Sequence, residues 1–294
     1  MSSTTDALNL AITAHPRVFE TNRYVYPVIS RRSRGLSVGI NLNPDKICNF
    51  DCIYCQVDRT VAPLYRKVDL SRLESELRAL LEDAKSGLLF THPKFKEVPN
   101  ELKRINDIAF SGDGEPTTYT QFGGAVRIAA QIKKDLNLPD TKLIVITNAT
   151  RFHRPKVLDA LEILHQNNGE IWAKLDAGTA EYYNLVERTT VAFDKVVQNL
   201  LIAARRWPIV IQSLFMRIHN QGPSPEEIAA YANQLGNILQ QGGSLKGVQI
   251  YTVARQPAES FVSPLSNAEV DDIAQTVRQH LSNVPIDVYY GATL

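Results

Sequence analysis

The sequence predicts an α/β protein built on a parallel sheet with helical crossovers. Short apolar runs alternate about six times with amphipathic helical stretches, the pattern of repeated strand–helix units. Polar, glycine-bearing segments fall just after the strands, where parallel α/β folds carry their sites. The chain has 294 residues and 44% hydrophobic content, enough for a large core and suited to one barrel-sized α/β domain or two smaller ones. Periodicity leaves the closure open between a doubly wound sheet and a full or partial barrel.

Taken in order, residues 1–35 read as a polar and aromatic extension. "LSVGINL" from Leu36 reads as the first strand, followed by a cysteine loop. "DLSRLESELRALLEDAKSG" reads as a helix with Leu70, Leu73, Leu77, Leu80 and Leu81 on one face. "LLFTHPKFKEVPN" carries two prolines and no period, and reads as an insertion. "INDIAFSG" is the second strand and ends in the turn "GDGEPT"; a helix follows over roughly Phe122–Leu136. "KLIVITN" is the third strand, with a helix across Pro155–Gln166, and "EIWAKLD" is the fourth, with helical stretches near Ala180–Glu187 and Phe193–Arg206. "PIVIQSLF" is the fifth strand. Ser224, Pro225 and Glu227 then mark a helix start with a capping box. "GVQIYTV" is the sixth strand, Ser266 to Glu269 open a last helix by the same box, and "IDVYY" reads as a closing strand. The expected organisation is an extension over 1–35, one core over 36–255 and a C-terminal helix and strand over 256–294.

Charge and composition exclude some partners. The formal net charge is +1, which argues against a strong nucleic-acid polyelectrolyte. No apolar run reaches membrane-spanning length, and the start "MSSTTDALNL" lacks a secretory pattern. The expectation is a cytoplasmic protein with reduced thiols and no membrane partner.

The chemistry is concentrated in "NPDKICNFDCIYCQVDR", Asn43 to Arg59. Cys48, Cys52 and Cys55 are the only cysteines of the chain. An odd set packed into one loop points to metal or catalysis rather than disulfides. Thiolates suit iron–sulfur clusters and zinc. A cubane cluster normally takes four thiolates, so three leave one iron open to a further ligand. Structural zinc would need a fourth ligand from outside the set, such as His92, His153, Asp51 or Asp58. Three free cysteines packed as small apolar residues are the remaining reading.

"CNFDCIYC", with Tyr54 just before the last cysteine, resembles the signature of the radical S-adenosylmethionine (SAM) superfamily. More narrowly, "GINLNPDKICNFDCIYCQVDR" with "SGDGEPT" resembles the bacterial relatives of the wyosine-forming tRNA enzymes. The resemblance covers roughly residues 36–255 and implies a partial (β/α)6 TIM-like barrel. It implies that Cys48, Cys52 and Cys55 ligate three irons of one 4Fe–4S cluster per chain and that SAM chelates the fourth. It further implies reductive cleavage of SAM to a 5′-deoxyadenosyl radical, with a one-electron reductant of flavodoxin or ferredoxin type as partner. The protein's part in such chemistry is positioning and exclusion of water. Wyosine-forming members carry a second cysteine set, which this chain lacks; the resemblance therefore does not carry over their pyruvate-condensing reaction.

The other cofactor-binding candidates fall at strand ends. Gly112, Asp113, Gly114 and Glu115 occupy the turn that contacts the SAM amino group in the resembling family, where the two glycines allow close approach or positive φ. Asn148 ends the third strand, as a site residue or a turn and cap residue. Lys174 and Asp176 flank the end of the fourth strand. Asp176 could meet a ribose hydroxyl and Lys174 an anionic group, or the two could form an internal ion pair. Gln212 and Ser213 interrupt an apolar strand, and Ser213 is taken as the SAM-facing candidate against a solvated-face alternative. Tyr251 and Arg255 near the sixth strand are similar. Basic Ser30–Arg34 and Lys94–Lys96, near Tyr24, Tyr26 and Phe95, make tRNA a candidate substrate through phosphate contact and stacking. Radical chemistry on a peptide or small metabolite, and a zinc or iron–sulfur redox-sensing module without turnover, are the alternatives.

Overall fold

The computed structural model describes residues 17–291 apart from 18, 31 and 258. Residues 1–16 of the expected extension and Arg31 of the basic cluster lie outside the described residues. The chain divides into two compact units, one holding residues up to Ile47, Ala62–Val145 and Asp159–Glu170, the other holding Cys48–Val61, Ile146–Leu158 and everything from Ile171.

The first unit contains β1 (Val25–Ser30), β2 (Gly35–Ile40), α1 (Leu70–Ser86), β3 (Ile105–Phe110), α2 (Phe122–Asp135) and most of β4 (Lys142–Thr147). β2, β3 and β4 pair in parallel, as the strand–helix alternation predicts. Their apolar residues are interior on both faces: Leu36, Val38, Ile40, Ile108, Phe110, Leu143 and Val145 have no exposed surface. β1 was not expected. It lies in the stretch read as a polar extension and pairs antiparallel with β2, Val25 opposite Ile40. Its short apolar run escapes a reading tuned to strand–helix repeats, and its anchor is remote in sequence. Buried Glu76 on α1 accepts from the Arg23 and Tyr24 backbone N–H groups, each at 2.9 Å. α1 buries the leucine stripe Leu73, Leu77, Leu80 and Leu81, and Asp69 caps its start. The apparent insertion at 88–100 is packed, with Leu89, Phe95 and Val98 buried.

The second unit contains β5 (Gly169–Lys174, entering at Ile171), α4 (Ala180–Glu187), α5 (Phe193–Ala204), β6 (Ile209–Ile218), α6 (Pro225–Gln240), β7 (Leu245–Thr252), β8 (Val262–Pro264), α7 (Asn267–His280) and β9 (Ile286–Tyr289). β5, β6, β7 and β9 run parallel in that order, and β8 pairs antiparallel with the far end of β6. α3 (Pro155–Gln166) follows β4. The α7 capping box forms as expected, Ser266 and Glu269 each bonding the other's backbone. The α6 box forms by half. Ser224 accepts from the Glu227 N–H, but the Glu227 carboxylate turns to the Gly178 N–H and the Thr179 hydroxyl instead.

Alternation along β6 decides which residues face which layer. Ser213 bonds the Tyr231 hydroxyl of α6 at 2.6 Å, and Phe215 meets the Tyr231 ring edge-on. The opposite face carries Gln212, in register with Lys174 on β5 and Gln249 on β7. Gln212 and Ser213 are both fully buried, so the solvated-face alternative is wrong for each. Ser213 is also corrected as a SAM-facing candidate: it belongs to the helix layer, and Gln212 takes the other face.

Candidate active site around the cysteine loop

The loop Cys48–Cys55 is held by backbone and side-chain bonds within its own unit. The Asp51 N–H donates to the Glu187 carbonyl at 3.0 Å, and the Ile53 N–H to the Val186 carbonyl at 2.9 Å. The loop thus pairs with the C-terminal end of α4. Asn49 fixes the other side: its Oδ1 accepts from Asn148 at 2.9 Å, its Nδ2 donates to Thr150 at 2.8 Å, and its carbonyl accepts from Thr189 at 2.8 Å. Phe50 meets Tyr183 edge-on, and Ile53 sits in an apolar cluster with Val186, Leu214, Met216, Val253 and Val262. The apolar residues between the cysteines are anchors, and the three half-buried cysteines are not joined by a disulfide. Asn148 is a turn residue, as its alternative reading expected, its Oδ1 accepting from the Thr150 N–H and hydroxyl; its Nδ2 also holds the cysteine loop through Asn49.

Cys52 points inward to a buried charge network. Its Sγ lies 2.7 Å from Glu187 Oε2. Burial pushes the Cys52 thiol up, and the Glu187 carboxyl adds to it. Burial, followed by Asp176, likewise pushes Glu187 above the usual carboxylate range. Asp176 is fully engaged. Its Oδ1 accepts from the Leu214 N–H at 2.7 Å, and its Oδ2 accepts from the Tyr54 hydroxyl at 2.6 Å and pairs with Lys174 at 3.1 Å. Lys174 lies over the rings of Tyr54 and Tyr251, 4.7 and 5.1 Å from their centroids, and donates to the Tyr251 hydroxyl at 2.9 Å. Burial alone would lower its pKa, but Asp176 and the neighbouring acids outweigh it, so the ammonium stays charged. Tyr54, Lys174 and Asp176 therefore act as one unit. Next to Lys174, Gln212 Nε2 donates to Gln249 Oε1 at 2.7 Å.

Cys55 faces the outside of the loop, where Arg59 Nη1 donates to its Sγ at 3.4 Å. Arg59 also pairs with Asp51 at 3.7 Å, and Arg188 pairs with Asp51 at 3.9 Å and with Glu259. Asp51 and Asp58, two of the fourth ligands considered for zinc, are occupied otherwise: Asp51 by the arginines, Asp58 by the Thr60 N–H and hydroxyl. Among the described residues no group of three or more His, Cys, Asp or Glu side chains closes on a point that could hold a metal ion. The fit to an iron–sulfur group rests on donor chemistry: three cysteines not joined by a disulfide on a pinned loop, with a guanidinium at one sulfur.

In the first unit, the turn Gly112–Glu115 is gripped by the end of β2. Asn41 Nδ2 donates to Asp113 Oδ2 at 2.7 Å, and Asn41 Oδ1 accepts from the Asp113 N–H at 3.2 Å. A Cβ on Gly112 would stand 2.3 Å from Asn41 Oδ1, and one on Gly114 2.2 Å from the Ile47 carbonyl oxygen. Close approach is the role of both glycines. Neither has positive φ, so that part of the expectation is corrected. Glu115 is buried and accepts from the Thr117 N–H and hydroxyl, opening a short 3-10 turn. Arg17 pairs with Asp113 at 3.7 Å.

Sequence reading missed Asn41, Asn49, Arg59 and Glu187. Asn49 carried a readable signal, a polar group directly beside Cys48; Asn41, seven positions earlier, is only a polar residue just past a strand. Glu187 lies 135 positions from Cys52 and carried none. The aromatic residues offered for base stacking are misread: Tyr24, Tyr26 and Phe95 are 2%, 1% and 0% exposed. Without them the basic clusters lose their stacking partners.

The model of the Radical SAM superfamily matches residues 42–232, well over half the chain, and the chain belongs to that superfamily. The match spans the cysteine loop, the strands that carry Lys174 and Gln212, and Asp176 just past the first of them. The fold class is accordingly α/β of the partial (β/α)6 TIM-like radical SAM type. Among curated proteins, it is 26% identical over 185 residues to a UPF0026 protein of Helicobacter pylori, covering 60% of this chain and 53% of that one. A UPF0026 protein of Methanocaldococcus jannaschii is 27% identical over 177 residues, 60% of this chain and 47% of that one. A protein named GTPase Obg of Brachyspira hyodysenteriae is 25% identical over 276 residues, 92% of this chain but 35% of that one. The chain thus spans about half or less of the length of these relatives. A solved structure of TYW1 with a lysine–pyruvate adduct bound superposes with a TM-score of 0.54 at 15% identity, covering 86% of this chain and 74% of that one, a likeness of fold.

Proposed function

We propose that the protein reductively cleaves SAM at a single 4Fe–4S cluster held by Cys48, Cys52 and Cys55, in the service of RNA modification. The observation that carries this reading is that the chain's whole complement of cysteines stands in one pinned loop inside the superfamily match. When bound, the cluster and SAM supply one electron and a carbon radical able to take a hydrogen atom from a substrate. The chain's own residues bind and orient. Lys174, fixed between two tyrosine faces, offers a permanent positive charge to the carboxylate of SAM or an anionic substrate group. Asp176 holds Lys174 and Tyr54 in place, a positioning role that replaces the ribose contact first considered for it. The backbone of Gly112–Gly114, kept open by the absence of Cβ atoms, is the cradle proposed for the SAM amino group, with Asp113 and Glu115 shaping it and Asn41 gripping it. Asn148 holds the loop through Asn49. A one-electron donor of flavodoxin or ferredoxin type completes the set of partners.

RNA as substrate rests on the fold likeness to TYW1. A charged Lys174 is a poor nucleophile, and the chain has no second cysteine set, so neither feature supports pyruvate condensation here. Burial of Tyr24, Tyr26 and Phe95 favours a second reading, a peptide or small-metabolite substrate.

The test begins with anaerobic reconstitution. About four irons and four sulfides per chain are expected, with 5′-deoxyadenosine formed from SAM on reduction. Cys52→Ala should abolish cluster uptake and cleavage together. One zinc and no sulfide, or a loaded and reduced protein that forms no 5′-deoxyadenosine, sinks the reading. Comparison of modified nucleosides in cells with and without the gene then separates the substrates; an unchanged profile favours the peptide or metabolite.

A further inference from the structure

Two of the three thiols meet different electrostatic surroundings. Cys52 turns to the buried Glu187 carboxyl, whereas Cys55 receives an N–H from Arg59 at 3.4 Å. Arg59 is four residues beyond Cys55, its side chain 32% exposed, and it is not placed freely. It belongs to a chain of alternating charge, Arg59–Asp51–Arg188–Glu259, that borders the loop. Asp51 stands between the first two cysteines, 63% exposed, and draws on the same guanidinium that bonds Cys55. Neither residue has a role in the superfamily signature read above.

We infer that Arg59, acting through the Cys55 sulfur and restrained by Asp51, sets the reduction potential of the cluster proposed for this loop. The inference rests on that proposed cluster. A hydrogen bond from a fixed cation to a ligating sulfur stabilises the more negative, reduced state, so it raises the potential. Arg suits this task because its charge does not titrate and its fork can hold the sulfur and a carboxylate at once. Asp51 opposes it in two ways, as a nearby negative charge and as a competitor for the guanidinium. Removing Arg59 and removing Asp51 must therefore shift the potential in opposite directions, a sign pattern that loosened packing would not produce.

The experiment is a redox titration of the full chain, reconstituted without air, followed by the EPR signal of the reduced cluster with dithionite and mediators. At the potential where the wild-type cluster is half reduced, Arg59→Gln should lower the reduced-to-oxidised ratio about tenfold, which is ~59 mV for a one-electron couple. Arg59→Lys should keep most of the wild-type ratio, and Asp51→Asn should raise the ratio. If Arg59→Gln takes up no cluster, the Asp51→Asn and Arg59→Lys proteins carry the test. An Arg59→Gln cluster that titrates with the wild type, or an Asp51→Asn cluster that is unshifted or harder to reduce, overturns the inference. A wild-type chain that takes up no cluster overturns the proposed function beneath it, and the two failures are told apart by the iron and sulfide content.

Discussion

Asp107 lies on β3 with 2% of its surface exposed and accepts a hydrogen bond from the Ser37 hydroxyl. Burial pushes its carboxyl from 3.8 up to about 6, against the lowering effect of Ser37 and more distant cations. The unfolded chain ionises first, so the stability contributed by neutral Asp107 is present below pH 3.8 and is lost as pH rises through 6. A shift of this size is worth about 3 kcal/mol at most. Asp107→Asn, which keeps an acceptor for Ser37, should stabilise the protein by ~1–2 kcal/mol above pH 6 and give no gain near pH 4. Urea midpoints across that range measure it; an equal gain at every pH would refute the burial argument. At this scale the legibility of the sequence depended on spacing. Cys48, Cys52, Cys55 and Tyr54 stood out because the motif they form is local. Glu187 did not, because nothing in its own neighbourhood marks it as a thiol partner 135 positions away, and Arg59, although four residues beyond Cys55, looks in sequence like any solvated loop arginine.

Between residues and the fold stand the elements, and β1 shows what joins them. A six-residue strand has no stability alone. It is held by the ladder to β2 and by Glu76 of α1, which bonds two backbone N–H groups just before the strand and the Arg72 guanidinium at 2.7 Å. Glu76→Ala would leave the buried Tyr24 N–H without its acceptor and cost about 2–4 kcal/mol. Hydrogen exchange over Val25–Ser30 should then quicken more than exchange over β3, and equal loosening of both strands would argue against a local anchor. α6 makes the complementary point. Its start was readable from Ser224, Pro225 and Glu227, but the Glu227 side chain left the capping box for the Gly178 N–H and the Thr179 hydroxyl. A cap written in sequence fixes where a helix begins; a competing donor from another segment decides what the side chain does.

On the scale of the whole molecule, the three cysteines and their clamps belong to one compact unit, since Asn49, Asn148, Lys174, Asp176, Val186 and Glu187 all lie within it. Cluster binding should therefore slow hydrogen exchange over Cys48–Arg59 and the end of α4, because a ligand bound only by the folded form adds to its stability. Oxidative removal of the cluster should reverse that protection, and a chain equally protected with and without iron would show that the loop owes nothing to it. Among the described residues no helix is long and apolar enough to cross a membrane.

By itself the sequence determined the order of the parallel strands and helices, the starts of α6 and α7, and the thiol set, because periodicity, caps and loop ligands are local features of a chain. Only the tertiary structure decided that Gln212 rather than Ser213 shares a face with Lys174, that Asp176 is spent on Tyr54 and Lys174, and that Glu187 and Arg59 bond different thiols. The first follows from strand register, and those of Asp176 and Glu187 from contacts between segments far apart in sequence, while the Arg59 contact is local but depends on how the loop turns; a one-residue change of register would reverse the facing of Gln212 and Ser213 while leaving the local pattern as legible as before.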